Sequence, residues 1–188
     1  KEELRHSRAI GFVPASGGSA DQTSSNSPLP PLVIDADGLN LLAGMDDWPR
    51  LLPANTILTP HPGEFARLAD MEVADVQANR VALAREKAAA WNCVVVLKGA
   101  FTIVAAPDGR CALEPFATPA LARAGTGDVL AGTIAGLLAQ GLESFDAALV
   151  AGWVGGMAGL RAAAAFSTPT SVTAGDVAAM LPDAFALA

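Results

Sequence analysis

The sequence predicts an α/β protein in which a mostly parallel sheet is layered with helices. Three observations lead to this prediction. Short apolar, β-branched runs alternate with stretches of helical periodicity. Polar clusters follow several of these runs directly. From Gly127 onward only helical patterns remain. Strands that alternate with helices and then give way to a helical tail are typical of layered α/β domains.

The composition supports a folded domain with a sizeable core. Of the 188 residues, 52% are hydrophobic and only 16% are charged, so much of the chain must be buried in its own core or against another subunit. The net charge of -7 and the absence of any Lys/Arg run exclude nucleic acid and anionic membranes as expected partners. A small phosphorylated ligand stays compatible with this charge, because backbone amides and one or two cations suffice to bind phosphate.

Cysteine usage and the first residues indicate a cytoplasmic protein. Cys93 and Cys111 are too few for a disulfide framework or a cysteine metal site. Residues 1–8 are charged and polar, unlike a signal peptide. The apolar runs 129–142 and 147–160 are shorter than the roughly 20 residues of a spanning helix, so we expect two buried helices.

The first elements follow a loop rich in Gly, Ser and Pro at 11–31, which separates an N-terminal remnant from a domain at 32–188. The run 32–35 predicts a buried strand, after which Asp37 can cap a helix. A second strand is expected at 56–59, and a helix near Pro62 with Glu64 in its first turn.

The remaining elements alternate in the same way and end in helices. Gly141 stops one helix and Ser144 is expected to cap the next, while Thr173 and Asp176 resemble a capping box. The other expected elements are a helix at 75–91, strands at 93–97, 101–105 and 111–114, and a turn at 107–110.

Four polar clusters lie where such a sheet binds ligands, beyond the carboxyl ends of its strands. That all four clusters occur at such positions is stronger evidence for a ligand site than any single cluster. They are DADGLN at 35–40, TPHPGE at 59–64, KGAFT at 98–102 and AGTGD at 124–128.

The segment 124–128 combines glycines with a carboxylate. Gly125 and Gly127 allow close approach to a ligand, and the free N–H groups of the helix that begins there can bind an anion. The Asp128 carboxylate would repel a bound phosphate, so anion binding alone does not explain this residue. Its position is explained if it takes the proton of a hydroxyl that attacks the phosphate. The simpler interpretation makes Asp128 an N-cap that stabilises the helix dipole.

The other three clusters allow a functional and a structural interpretation. His61, held between two prolines, either contacts a polar substrate or is an idle loop histidine. Lys98 can neutralise phosphate beside Gly99, or it is a lysine that snorkels at the sheet edge. Asp35 and Asp37 can position a cation or a ribose, or can form a turn and an N-cap, and two acids alone do not specify a metal site.

These segments, in this order, resemble the dehydratase domain of the NAD(P)H-hydrate repair enzymes, which are ribokinase-like. The matching stretches cover the chain from about residue 31 onward. TPHPGE, KGAFT and GTGDVLAG are specific in combination, although none of them is specific alone. The stretches are LVIDADGLNLLA (32–43), ILTPHPGEFARL (57–68), VVVLKGAFTIVAAPDGR (94–110), AGTGDVLAGTIAGLLAQGL (124–142) and VTAGDVAAMLP (172–182).

The resemblance implies a repair reaction on hydrated NADH or NADPH. The family phosphorylates the ring hydroxyl of the hydrate from ADP or ATP, with Mg²⁺, and loss of phosphate then regenerates the dinucleotide. It implies that Asp128 is the catalytic base and contacts the hydrate together with His61. The adenine-nucleotide contacts it implies are Lys98, Gly99, Ala100, Phe101, Thr102, Gly125, Thr126 and Gly127. The family also implies a homo-oligomer, a tetramer, and in some members an upstream epimerase domain.

The chain departs from the family pattern in two regions. Gly155 and Gly156 stand where the family has a His-Gly pair, and Ala124 to Thr126 replace two glycines and a serine. No motif of the family's glycine-rich N-terminal portion is found, so we expect the chain to match the later part of the domain. Two alternatives stay open: a ribokinase-like vitamin kinase, and a nucleotide-binding remnant without catalysis.

Overall fold

The structure is a computed structural model that describes residues 29–166 and 168–187. The loop predicted at 11–31 lies almost entirely outside this part. The described chain contains five strands, seven α-helices and three short 3₁₀ turns. The strands are β1 Val33–Ile34, β2 Ile57–Leu58, β3 Val94–Leu97, β4 Ile103–Ala105 and β5 Cys111–Leu113. The helices are α1 Asp37–Ala43, α2 Pro62–Ala69, α3 Val73–Ala78, α4 Arg80–Trp91, α5 Thr126–Ala139, α6 Ser144–Ala165 and α7 Ala174–Phe185.

The five strands form one sheet in the order β1-β2-β3-β4-β5. β1, β2 and β3 are parallel, as the helices between them require. β4 and β5 are each antiparallel to the preceding strand and form a meander with β3. The α/β class is therefore confirmed, whereas the described sheet is mixed rather than mostly parallel, because the connections at 98–102 and 106–110 are too short for a parallel crossover.

Side-chain alternation along the strands builds two cores, one on each face of the sheet. Leu58, Val95 and Leu97 face the helices α1 to α4, whose buried side chains include Phe65 and Trp91. The opposite face packs against α5 and α6. A third cluster joins α6 to α7. The result is a helix–sheet–helix arrangement in three layers.

Helix α6 is longer than the apolar run that predicted it. It has 22 residues, and its most apolar 18-residue window has a mean hydropathy of 1.3, so by length and composition alone it would cross a membrane. In the fold 44% of that window is buried, and the helix packs against α5, α7 and the sheet. The core helices of soluble proteins pass the same length and composition test. Because α6 packs against α5, α7 and the sheet, it is a core helix of this fold, as predicted.

Three predictions of helix boundaries and caps are wrong in detail. The helix predicted at 75–91 is two helices, because the side chain of Asn79 donates to the carbonyl of Asp75 at 3.3 Å and ends α3. Asp37 is the first residue of α1 and not its cap. Ser144 likewise lies inside α6, where its hydroxyl donates to Asn55 O at 2.8 Å. The capping box predicted at Thr173 and Asp176 is present at α7, and the structure shows a second one at α2, between His61 and Glu64.

Candidate functional site

A cavity of about 500 Å³ opens between the carboxyl end of β3, the start of α5 and the middle of α6. Its walls include two of the four polar clusters, the KGAFT segment and the start of the AGTGD helix. Most of its other walls are apolar side chains of α5 and of the chain between β5 and α5. A concave, mostly apolar space with a few polar groups at one end is the usual form of a small-molecule site.

The KGAFT cluster and the DADGLN cluster meet through an ion pair. Lys98 Nζ lies 2.6 Å from Asp35 Oδ1 and 3.8 Å from Glu64 Oε2. Both partners are largely buried, and β3 is the central strand of the sheet, so the interpretation of Lys98 as a lysine at the sheet edge is wrong. Asp37, by contrast, is exposed in the first turn of α1, so the two aspartates are not a pair.

His61 joins the same group of side chains through Glu64. Its Nδ1 accepts hydrogen bonds from the amides of Gly63 and Glu64 at 2.9 and 3.3 Å and so caps α2. The ring proton must then lie on Nε2, which is 3.4 Å from Glu64 Oε1. Half of the His61 side chain is exposed. The histidine is therefore a structural cap that still presents one edge of its ring to solvent.

The KGAFT segment is a tight turn and not the beginning of a strand. Gly99 has a φ of 137° and Phe101 a φ of 55°, both in the region that favours glycine. The Thr102 hydroxyl donates to Gly99 O at 3.0 Å and closes the turn. The strand predicted from Phe101 begins only at Ile103.

Arg80 holds this turn from the outside. Its guanidinium donates to the carbonyl of Leu97 at 3.1 Å and to that of Lys98 at 3.4 Å. A β-carbon on Gly99 would lie 3.0 Å from Arg80 Nη1, so Gly99 is also the residue that lets the guanidinium approach. Burial lowers the pKa of Arg80 from its ordinary value. Local sequence patterns do not indicate this contact, because Arg80 lies on a helix far from the turn in the chain.

The start of α5 directs free backbone amides toward the ion pair. Gly125 is the N-cap with a φ of 88°. The amides of Gly127 and Asp128 donate to no other group within the described part of the chain. A β-carbon on Gly127 would lie 3.4 Å from both Lys98 Nζ and Asp35 Oδ2, so the helix start and the ion pair are adjacent. Free amides beside a lysine form an anion-binding arrangement.

Thr126 has a structural part in this turn. Its hydroxyl lies 2.8 Å from the carbonyl oxygens of Leu121 and Arg123, and its amide donates to Arg123 O at 3.2 Å. An anion site here therefore consists of the next two amides rather than of Thr126.

Asp128 is the third residue of α5 and is exposed. The cap of the helix is Gly125, so the interpretation of Asp128 as an N-cap is wrong. Its carboxylate forms no hydrogen bond or ion pair with another described residue, and Asp128 does not line the cavity itself. A carboxylate at the mouth of an anion site, with both oxygens available, can accept a proton from a hydroxyl that approaches the bound anion.

The described residues hold no group of three or more His, Cys, Asp or Glu side chains that would form a metal cage. Asp35 and Glu64, which share Lys98, are the carboxylates next to the anion-binding arrangement. One or two carboxylates together with phosphate oxygens are the usual ligands of a nucleotide-borne Mg²⁺. The donor set therefore fits a cation that arrives with phosphates.

Sequence reasoning missed one polar group in the cavity, Glu114. It follows β5 directly, is 2% exposed, and neither of its carboxylate oxygens has a hydrogen-bond partner in the described chain. Desolvation raises the pKa of Glu114 to about 7. The pattern of strands and turns did contain a signal for Glu114. Two reversals of the chain make β5 run in the same direction as β3, so Glu114, which follows β5, lies at the same edge of the sheet as Lys98, which follows β3.

Taken together, the three-layer α/β fold and the free helix-start amides beside a cavity at the carboxyl edge of the sheet are typical of α/β proteins that bind small molecules at that edge. The sequence profile of the NAD(P)H-hydrate dehydratase family matches residues 17–183. This chain belongs to that family.

Named relatives agree with this assignment. The chain is 50% identical over 153 residues to a bifunctional NAD(P)H-hydrate repair enzyme of Salinibacter ruber, covering 81% of this chain and 28% of the relative. It is 46% identical over 130 residues to an ADP-dependent (S)-NAD(P)H-hydrate dehydratase of Neisseria meningitidis, covering 68% of this chain and 44% of the relative.

A solved structure shares the fold. It is the ADP/ATP-dependent NAD(P)H-hydrate dehydratase of Bacillus subtilis, co-crystallised with ATP and Mg²⁺. It superimposes with a TM-score of 0.74 at 34% identity, covering 84% of this chain and 55% of the other. The chain thus spans between about a quarter and a half of the length of these relatives.

Proposed function

We propose that this chain carries the nucleotide-binding and phosphoryl-transfer part of an ADP- or ATP-dependent NAD(P)H-hydrate dehydratase. The observation that carries the proposal is the meeting of two separate motifs in one cavity. The KGAFT turn and the start of α5 lie on adjacent walls, with Lys98 beside Gly127. Family membership supplies the reaction, which is the conversion of the S form of hydrated NADH or NADPH to the intact dinucleotide.

The phosphates of the nucleotide would occupy the start of α5. The free amides of Gly127 and Asp128 and the ammonium of Lys98 supply positive potential there. Phosphoryl transfer depends mainly on such positioning and charge stabilisation. Mg²⁺ bound to the phosphates would neutralise further charge, with Asp35 and Glu64 as the carboxylates able to hold it.

Asp128 would act on the hydroxyl of the hydrate. The hydroxyl oxygen attacks the terminal phosphorus of the nucleotide, its proton passes to the Asp128 carboxylate, and AMP or ADP leaves. Phosphate then departs from the ring carbon with the electrons of the C–O bond, the neighbouring ring carbon releases a proton to solvent, and the double bond of the dinucleotide is restored. His61, with one ring edge exposed, would contact the hydrate by hydrogen bonding.

A repair assay tests the proposal, with hydrated NADH, ADP or ATP, and Mg²⁺ as reactants and NADH absorbance as the readout. We expect Asp128→Asn to reduce turnover at least about a thousandfold, because it removes the proton acceptor while its size is kept. Asp146→Asn is the matched control, since Asp146 is also exposed at the third position of a helix, α6. It should leave turnover unchanged.

The outcomes separate the alternatives. Equal turnover in both aspartate variants, or none in the unmodified chain, would contradict the proposed catalytic role. Binding of ADP without turnover would favour a nucleotide-binding remnant. A phosphorylated vitamin alcohol as the product would favour the kinase.

A further inference from the structure

Glu114 is a buried acid that lacks a partner inside a cavity. It is 2% exposed, and no described group forms a hydrogen bond with either carboxylate oxygen. Buried polar groups are nearly always hydrogen-bonded, because an unpaired one costs about 1–3 kcal/mol. Since Glu114 also lines the cavity, a ligand in the cavity can supply the missing partner.

The position of Glu114 fits the far end of a nucleotide. The strand register pairs Leu97 with Ile103 and Ile103 with Leu113, so Glu114 lies two strands away from Lys98 at the same edge of the sheet. At the usual strand spacing this separation is about 10 Å. A nucleotide whose phosphates lie at Lys98 therefore reaches Glu114 with its base.

The walls near Glu114 suit a flat base and not a phosphate. The Phe116 ring lines the same cavity and packs edge-on against Trp153, and Val129 and Leu130 of α5 and Val177 of α7 are further apolar residues of the cavity wall. A carboxyl group would repel phosphate at this end. Glu114 lies against α6 at Gly152, where a β-carbon would come within 2.7 Å of its Oε1.

The hydrogen bonds that a carboxyl group can form determine which edge of the base it recognises. A carboxyl oxygen accepts a hydrogen bond in either protonation state, and the protonated group also donates one. Adenine presents an exocyclic amino donor beside a ring-nitrogen acceptor. We propose that Glu114 is the residue that recognises adenine, by accepting a hydrogen bond from its exocyclic amino group. This inference rests on the proposed function, in which an adenine nucleotide occupies the cavity.

The test compares ADP with purine riboside 5′-diphosphate, which is ADP without the exocyclic amino group. Calorimetry gives the affinity of both ligands for the unmodified chain, Glu114→Gln and Glu114→Met. We expect the unmodified chain to bind ADP at least about tenfold more tightly than the deaminated ligand. Glu114→Gln keeps a carbonyl acceptor and should keep most of this preference, whereas Glu114→Met should reduce it to less than about twofold.

The preference is a ratio of two affinities on the same variant, so a partly unfolded preparation does not alter it. Glu72→Met, which changes an exposed glutamate outside the cavity, should keep the full preference. An unchanged preference in Glu114→Met, with ADP still bound, would overturn the role of Glu114 and leave the proposed function intact. Failure of every form to bind ADP would overturn the proposed function, and this inference with it.

Discussion

The ammonium of Lys98 lies 2.6 Å from a carboxylate oxygen of Asp35, which joins the residues that follow β3 and β1. Glu64 adds a second carboxylate at 3.8 Å. The pair therefore places the lysine beside the start of α5.

Replacing Lys98 with methionine should weaken both folding and nucleotide binding. Two largely buried carboxylates would lose their cation, so we expect the free energy of unfolding to fall by about 1–3 kcal/mol. ADP affinity should fall at least about tenfold, because a charge-assisted contact to phosphate is lost. Urea denaturation and calorimetry measure the two effects. Lys87→Met, which removes a lysine whose ionic partner in the described part of the chain is its neighbour Glu86, should leave ADP affinity unchanged.

Two substitutions of His61 should separate its capping role from substrate contact. His61→Asn keeps a side-chain acceptor for the amides of Gly63 and Glu64, so the free energy of unfolding should change by less than about 0.5 kcal/mol. His61→Ala removes the cap and should cost about 1 kcal/mol. If the imidazole binds the hydrate, both variants raise KM in the repair assay. A normal KM in His61→Asn would show that the histidine is only a cap.

Alanine substitutions at the two adjacent glycines of α6, Gly155 and Gly156, should have opposite effects on the free energy of unfolding. A β-carbon on Gly156 would overlap the Phe116 ring, whereas one on Gly155 would meet nothing within 4 Å. We expect Gly156→Ala to lower the free energy of unfolding by about 1–3 kcal/mol. Gly155→Ala should raise it by about 0.5–1 kcal/mol, because alanine favours the helix. Thermal or urea denaturation decides the matter, and equal effects at the two positions would contradict the packing described.

Glu114 should make stability depend on pH. Burial raises its pKa to about 7 from an ordinary 4.5, so folding favours the protonated form. The contribution of Glu114 to the free energy of unfolding is highest below about pH 4.5, falls as the pH rises toward about 7, and stays low above about pH 7. The total change is at most about 3 kcal/mol. Glu114→Gln should flatten the profile of unfolding free energy in this window, and a slope equal to that of the unmodified chain would refute the assignment.

Local signals predicted most of the fold. The apolar strands, the capping box of α7 and the stop at Gly141 all depend on neighbouring residues, so the sequence displays them. The break at Asn79 was missed because it depends on one side-chain hydrogen bond and involves neither glycine nor proline. The start of β4 was placed too early because Phe101, a good strand former, occupies a left-handed turn position.

The candidate site was predicted in part. The rule that ligands bind at the carboxyl ends of strands brought Asp35, Lys98 and the start of α5 together correctly. It did not show that Glu64 shares the lysine, or that Arg80 clamps the turn, since both contacts arise from packing between helices and the sheet. Glu114 was missed because the direction of β5 was not considered.

The turn that begins α5 is supported by residues far along the chain. A β-carbon on Gly125 would lie 3.0 Å from that of Ala174, and the Arg123 guanidinium bonds to the carbonyl of Thr170. During synthesis these two contacts can form only after Thr170 and Ala174 have been made. The turn that holds the free amides of α5 is therefore completed later than the strands that precede it, and disturbing these late contacts should weaken nucleotide binding from a distance.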